Sequence, residues 1–350
     1  MKLFKKMHAN LKDKKNTTVK FINFLVIYLQ TNFLHNSKVY GFPTSLSIDP
    51  VNVCNLQCPL CPTGRKGKMA EKNFMSFGMF KKIIDEVGKY LYKTDLYNWG
   101  EPFLNKELIK MIKYAVGAGV KVDISSNLSL DIDSYVTDIV DSGLNELIVS
   151  AAGSTEKEYE KYNIGGDFKK VMKNVDLIAK EKRNKNSKTP TLVWRYLVTK
   201  YNENGVKEAL RTYKSKGFDS ILISTLHLDM GGEITRDVRS RIEEFKDWLP
   251  EENEKYSGYD IQSKARIRQN TCDRLWRTSV ISPSGEVFPC CAVYGDKYAF
   301  GNIRKTMFSQ IWNNKYYRGA RNSVSGKNKH KTHTICDICK KNGYLDVSTI

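Results

Sequence analysis

The sequence predicts an α/β protein: a parallel sheet of six strand–helix units, closing as a doubly wound sheet or a partial barrel, followed by a smaller domain. Three observations predict it. From residue 44, short β-rich runs alternate with longer amphipathic segments. Several helical segments end at glycine just before the next strand, as a helix C-terminus should. After about residue 236 the alternation stops, and turn residues and cysteines take over.

Ahead of the alternation, residues 1–15 are basic (MKLFKKMHANLKDKK), and an apolar stretch follows, VKFINFLVIYLQTNFL. Asn23, Gln30 and Asn32 interrupt that stretch and no small-residue cleavage site follows, so it does not read as a signal peptide. It is shorter than the ~20 apolar residues that span a bilayer. Phe21, Leu25, Tyr28 and Leu29 keep helical spacing, which predicts an amphipathic helix packed on the protein, with a membrane surface as the alternative. Residues 1–43 are thus an N-terminal extension.

The expected strands are TSLSID (44–49), DLYNW (95–99), KVDISS (121–126), ELIVSA (146–151), TLVWRYLV (191–198) and SILIST (220–225). Helices are expected between them, as in MFKKIIDEVGKYLY, where Phe80, Ile83, Ile84 and Val87 form one apolar face. This strand–helix region covers 44–235, a helical linker 236–268, and a small C-terminal domain 269–350. In parallel α/β folds, functional residues gather in the loops after strand C-terminal ends.

The chain has 57 Lys plus Arg against 38 Asp plus Glu, a net charge of +19. The lysines are scattered along the whole chain, so the charge does not outline a nucleic-acid surface. Eight cysteines fall in two groups, three at 54–61 and five after residue 271. A secreted disulfide framework belongs to small, cysteine-dense domains, so these groups read as metal or cluster ligands.

The first group is CNLQCPLC: Cys54, Cys58 and Cys61, in a loop after the first strand. A structural zinc site wants four ligands. Three thiolates suit a 4Fe–4S cubane with one iron left open. The spacing resembles that of the radical S-adenosylmethionine (SAM) superfamily. The resemblance implies a partial (β/α)6 TIM-like barrel. It also implies that the open iron chelates SAM, and that one electron splits SAM to a 5′-deoxyadenosyl radical that abstracts a substrate hydrogen. Gly100 and Glu101 match the family's GE motif, whose backbone receives the SAM amino group. Ser126 and Asn127 stand where polar residues reach the ribose or carboxylate. Arg195, a charge inside an apolar strand, meets either the SAM carboxylate or a structural acid. Two positions depart from the pattern: Leu60 stands where an aromatic is common, and Ala152 where relatives carry an acid.

The second group runs Cys272, Gly285, Cys290, Cys291, Cys336, Cys339, in the order C-x12-G-x4-C, a gap, then C-x2-C. It resembles the SPASM or shorter twitch extension. That implies one auxiliary 4Fe–4S cluster on Cys272, Cys290, Cys336 and Cys339, with Cys291 spare or in place of Cys290. Zinc on the same four thiolates is the alternative. His330 and His333 are expected in a solvated basic loop. Together these readings imply a cytoplasmic radical SAM enzyme fed by a donor such as flavodoxin or ferredoxin. It would oxidise or rearrange a small molecule such as a sugar or alcohol, or alternatively modify a ribosomal peptide or protein.

Overall fold

The computed structural model describes residues 16–65, 72–228, 233–251, 256–266, 272–293, 295–326 and 332–344. The basic residues 1–15 and His330 lie outside them; His333 is exposed.

Apolar runs and amphipathic segments assemble as the alternation requires. Helix α1 (Thr17–Leu29) precedes the sheet. Strands β1 (Ser45–Ile48), β2 (Lys93–Asp95), β3 (Lys121–Ser126), β4 (Glu146–Ser150), β5 (Thr191–Leu197) and β6 (Ser220–Ser224) pair in chain order, each parallel to the last. Parallel neighbours need crossovers. These are α2 (Phe77–Val87), α3 (Leu108–Gly117), α4 (Val136–Asp141), α5 (Glu156–Tyr162) with α6 (Phe168–Asn184), and α7 (Val206–Thr212). Helix α2 starts where Ser76 accepts the Met79 N–H, and buries the expected face of Phe80, Ile83, Ile84 and Val87. The central strands are apolar because both faces are covered; Leu147, Val149, Leu192 and Trp194 are fully buried.

Two elements differ from expectation. Strand β2 lies at 93–95 and takes only Asp95 from DLYNW. Its Lys93 Nζ is 2.9 Å from Asp95 Oδ1 and 3.0 Å from Asp123 Oδ2, so charges that look like a strand exit are neutralised inside the sheet. Tyr97–Trp99 are thereby released into a loop. Helix α5 has no apolar period to announce it; Thr155 caps it by accepting the Glu158 N–H.

Helix α8 (Val238–Phe245) and the short hairpin of β7 (Tyr259–Asp260) and β8 (Ala265–Arg266) follow the sixth unit. After α9 (Arg274–Arg277), strand β9 (Thr278–Ile281) pairs parallel with β1. A turn at Pro283–Gly285, with Gly285 at φ 94°, returns the chain as β10 (Glu286–Phe288), and β11 (Gly301–Asn302) completes one nine-stranded sheet. Helices α10 (Phe308–Ile311), α11 (Lys315–Val324) and α12 (Ile335–Lys341) close the chain.

The N-terminal helix packs on the protein, but not through the expected positions. Phe21, Leu25 and Leu29 are exposed, while Lys20, Asn23 and Ile27 are buried. The segment after it is clasped by the C-terminal helices. The fully buried Arg321 donates to the carbonyls of Ser37 (3.0 Å), Leu275 (2.9 Å) and Trp312 (2.9 Å), and to Asn313 Oδ1 (3.1 Å). Among the described residues no helix is long and apolar enough to cross a membrane.

Candidate active site

A cavity of about 650 Å³ opens at the C-terminal ends of the strands. The three thiols of the first loop, Cys54, Cys58 and Cys61, line one side; Arg274 and Cys291 line another. Glycines let the chain fold this tightly. A Cβ on Gly100 would stand 1.9 Å from the Val51 carbonyl oxygen, and one on Gly64 would stand 2.5 Å from the Cys58 nitrogen. Gly100 therefore lets the loop after β2 lie against the cysteine loop, held by the Glu101 N–H donating to the Val53 carbonyl at 2.8 Å.

The thiols stand in a setting that suits sulfur bound to iron. Cys54 Sγ accepts the Leu56 N–H at 3.4 Å and the Asn127 amide at 3.6 Å. Cys58 Sγ accepts from Asn163 Nδ2 at 3.9 Å. Burial pushes Cys54 up to about 12, further raised by Glu101 and Cys61 and opposed by the Leu56 and Asn127 donors; burial pushes Cys58 up as well. Burial thus favours the protonated forms of Cys54 and Cys58, so loading a metal centre on them releases protons.

Glu101 is fully buried, and its carboxylate joins two strand ends. It accepts Ser126 Oγ (2.7 Å), the Asn127 N–H (2.8 Å) and the Phe103 N–H (3.2 Å). Burial raises it to about 7 against those three donors. Ser126 and Asn127 lie at the cavity, as expected, but their side chains are engaged. The Ser126 hydroxyl also accepts the Leu128 N–H, and Asn127 donates to Asn55 Oδ1 at 2.9 Å as well as to Cys54. These residues brace the cysteine loop. Asn55 completes the brace by donating to the Ser129 carbonyl, a role its place inside CNLQC did not signal.

Arg195 points into the cavity from β5. It donates to Ser125 Oγ at 3.3 Å and lies 5.9 Å from the Tyr97 ring centroid. Among the described residues no carboxylate comes within ion-pair distance of it; Asp95 is engaged by Lys93. Ala152, the position that departs from the acidic pattern, also lines the cavity, and its N–H donates to Asn163 Oδ1.

The C-terminal cysteines converge. Burial raises Cys336, and Cys272, Cys290 and Cys339 add to the effect through their own charges. Cys290 is pushed up to about 12, by burial first and then by Cys291 and Cys272. Cys291 faces the cavity instead, where Arg274 Nη1 stands 2.9 Å from its sulfur. Sequence spacing alone did not separate the two neighbours. Among the described residues no three His, Cys, Asp or Glu side chains close on one point as ligands of a single metal ion. Ligands to different irons of one cubane are spaced more widely.

The chain matches the family model of the radical SAM superfamily over residues 48–197 and that of an iron–sulfur cluster-binding domain, SPASM, over 272–340. It is 23% identical over 295 residues to the tungsten-containing aldehyde ferredoxin oxidoreductase cofactor-modifying protein of Pyrococcus furiosus, covering 78% of this chain and 81% of that one. It is 22% identical over 310 residues to the AdoMet-dependent heme synthase of Methanosarcina barkeri, covering 82% and 85%. Among solved structures it resembles Streptococcus suis SuiB bound to S-adenosylmethionine, with a TM-score of 0.59 at 15% identity over 81% of this chain and 68% of that one. It also resembles BtrN in complex with AdoMet and 2-DOIA, with a TM-score of 0.52 at 16% identity over 85% and 92%. At such identities the likeness is one of fold.

Proposed function

The chain belongs to the radical SAM superfamily and carries a C-terminal SPASM domain, and from this we propose that it removes a hydrogen atom from a small polar molecule held between its two cysteine groups. It is an enzyme, and its cofactors are SAM and 4Fe–4S clusters. The observation that carries the proposal is one cavity of about 650 Å³ lined by Cys54, Cys58 and Cys61 and, from the second group, by Cys291 beside Arg274. The cavity must take the cluster on Cys54, Cys58 and Cys61 and SAM, itself a drug-sized ligand, so any second molecule beside them must be small.

In this reading Cys54, Cys58 and Cys61 hold a cluster whose open iron, when bound, supplies reductive cleavage of SAM and so the agent that takes the hydrogen. Leu56 and Asn127 donate hydrogen bonds that stabilise Cys54 as a thiolate. Backbone at Gly100–Glu101 receives the SAM amino group. Arg195, with no carboxylate in ion-pair reach among the described residues, receives the SAM carboxylate. Ser126 and Asn127 act on SAM through the loop they brace. Leu60 and Trp99, both largely buried, keep water from the reacting atoms. Cys272, Cys290, Cys336 and Cys339 hold one auxiliary cluster, leaving Cys291 on the cavity side. A flavodoxin- or ferredoxin-like donor supplies the electron, and the eight free thiols fit the reducing cytoplasm.

The structure of SuiB bound to its precursor peptide SuiA, similar at a TM-score of 0.59, supports a second reading in which the cavity takes one residue of an extended peptide. Anaerobic reconstitution separates the readings. The protein should hold about eight irons, two cubanes, and form 5′-deoxyadenosine from SAM, faster with the true substrate. Cys58→Ala should abolish that formation. Zinc in place of iron, or unchanged cleavage by Cys58→Ala, refutes the site. Stimulation by peptides and never by small polar molecules refutes the substrate class.

A further inference from the structure

Helix α1 is amphipathic, but its polar face is turned inward. The buried positions are Lys20, Asn23 and Ile27, continued by Gln30 and Thr31 in the π-helical turn of residues 30–34. The polar groups are satisfied inside. Lys20 Nζ donates to the Gly119 carbonyl; Asn23 exchanges hydrogen bonds with the Phe42 backbone at 3.0 and 2.7 Å; Gln30 donates to the Lys38 carbonyl at 3.1 Å. Outward stand Phe21, Ile22, Leu25, Leu29, Phe33 and Leu34, exposed by 36% to 66%. At 100° per residue the first four fall within an arc of about 100°, the width of a burying stripe. Four large apolar side chains on one exposed stripe, followed by exposed Phe33 and Leu34 in the next turn, mark a contact with something else.

Charge identifies the partner. Residues 1–48 contain eight lysines, no arginine, no glutamate and a single acid, Asp13, so eight minus one gives a net +7. No acid occurs between Asp13 and Asp49. A second copy of the chain would bring this +7 against another +7. An anionic surface would be attracted to it. An apolar face and a run of lysines are the two signals whose sum gives stable peripheral binding, where either alone is marginal.

We propose that the exposed face of α1 lies on the surface of an anionic lipid bilayer, drawn there by the lysines of the N-terminal extension. The position fits an enzyme that must stay open. Lys20 reaches Gly119, just before β3 begins, and Phe42 stacks on Tyr90, just before β2, with ring centroids 4.4 Å apart. The helix therefore covers the N-terminal ends of the strands, opposite the end where the cavity opens. Docking leaves the cavity clear.

The test uses the full, cluster-loaded chain and co-sedimentation with vesicles of phosphatidylcholine, with and without phosphatidylglycerol. We expect binding to phosphatidylglycerol vesicles, weakened about tenfold or more in their absence or in high salt. Ile22→Ser with Leu29→Ser should weaken it about tenfold or more, and Lys12, Lys14 and Lys15→Gln, which lowers the net charge of residues 1–48 from +7 to +4, should weaken binding and reduce its salt dependence. Ile22 and Leu29 are exposed, and the three lysines precede α1 in the chain. Iron content and SAM cleavage should therefore stay at the wild-type level and show that the fold is intact. Absence of binding to anionic vesicles, or binding unaltered in the Ile22/Leu29 variant, overturns the proposal. So does a wild-type dimer by light scattering that the same variant converts to a monomer, which would assign the face to a second copy.

Discussion

Replacing Glu101 by Gln should change how stability responds to pH, and the structure gives the size of the change. Burial holds the carboxyl at about 7, against an ordinary 4.5. Between those values the folded chain keeps a proton that the unfolded chain has lost. The folded state then binds more protons, so stability falls as pH rises through this window. The contribution is fully present below about 4.5 and gone above about 7. Between the limits it amounts to roughly 3 kcal/mol, at about 1.4 kcal/mol per pH unit, and about 2 kcal/mol of it lies between about pH 5.5 and about pH 8.5. The glutamine side chain does not titrate. Lowering the pH from about 8.5 to about 5.5 should therefore widen the stability gap between wild type and Glu101→Gln by about 2 kcal/mol in favour of wild type. Asp49, also raised to about 7 by burial, is present in both proteins and cancels in the difference. The measurement is denaturant unfolding of the cluster-free chain at a series of pH values. A gap that stays constant across the series would show that Glu101 does not titrate as its burial requires.

Gly100→Ala forces a Cβ to within 1.9 Å of the Val51 carbonyl, so the loop after β2 must lift off the cysteine loop. The fold should lose about 2 kcal/mol or more, and anaerobic loading should fall from about eight irons towards about four; full loading would mean the loop contact is dispensable. Cys290→Ala should lose the auxiliary cluster, whereas Cys291→Ala should keep about eight irons but alter substrate-dependent turnover. Iron counts in the reverse order would make Cys291 the ligand.

Much of the site was legible because its chemistry lies in local spacing. Cys54, Cys58 and Cys61 fall in one loop after β1, so a motif reads directly as a place. Strands β4 and β5 were legible because burial on both faces makes a strand nearly continuously apolar. What stayed hidden depends on contacts distant in sequence. Ser126 and Asn127 look like ligands because they end a strand, yet their partners are Glu101, Asn55 and Cys54, 25 to 73 residues away. Strand β2 hid its start because Lys93 finds Asp123 across the sheet. The face of α1 could not be read from periodicity, which shows that a helix has two faces and leaves open which one turns inward.

The Arg321 clasp gives the chain a timetable. Its carbonyl partner at Ser37 lies 284 residues upstream. At ~5–20 residues per second the N-terminal segment emerges roughly 15–60 s before the guanidinium that fastens it. During that interval Ser37 and the strand-leading segment around it have no C-terminal helices to dock against. A helix made later thus completes the seating of a segment made 284 residues earlier. The two ends do not behave as detachable modules: removing the C-terminal helices would also release residues 37–41, which Arg321, Asn313 and Trp312 hold through backbone carbonyls.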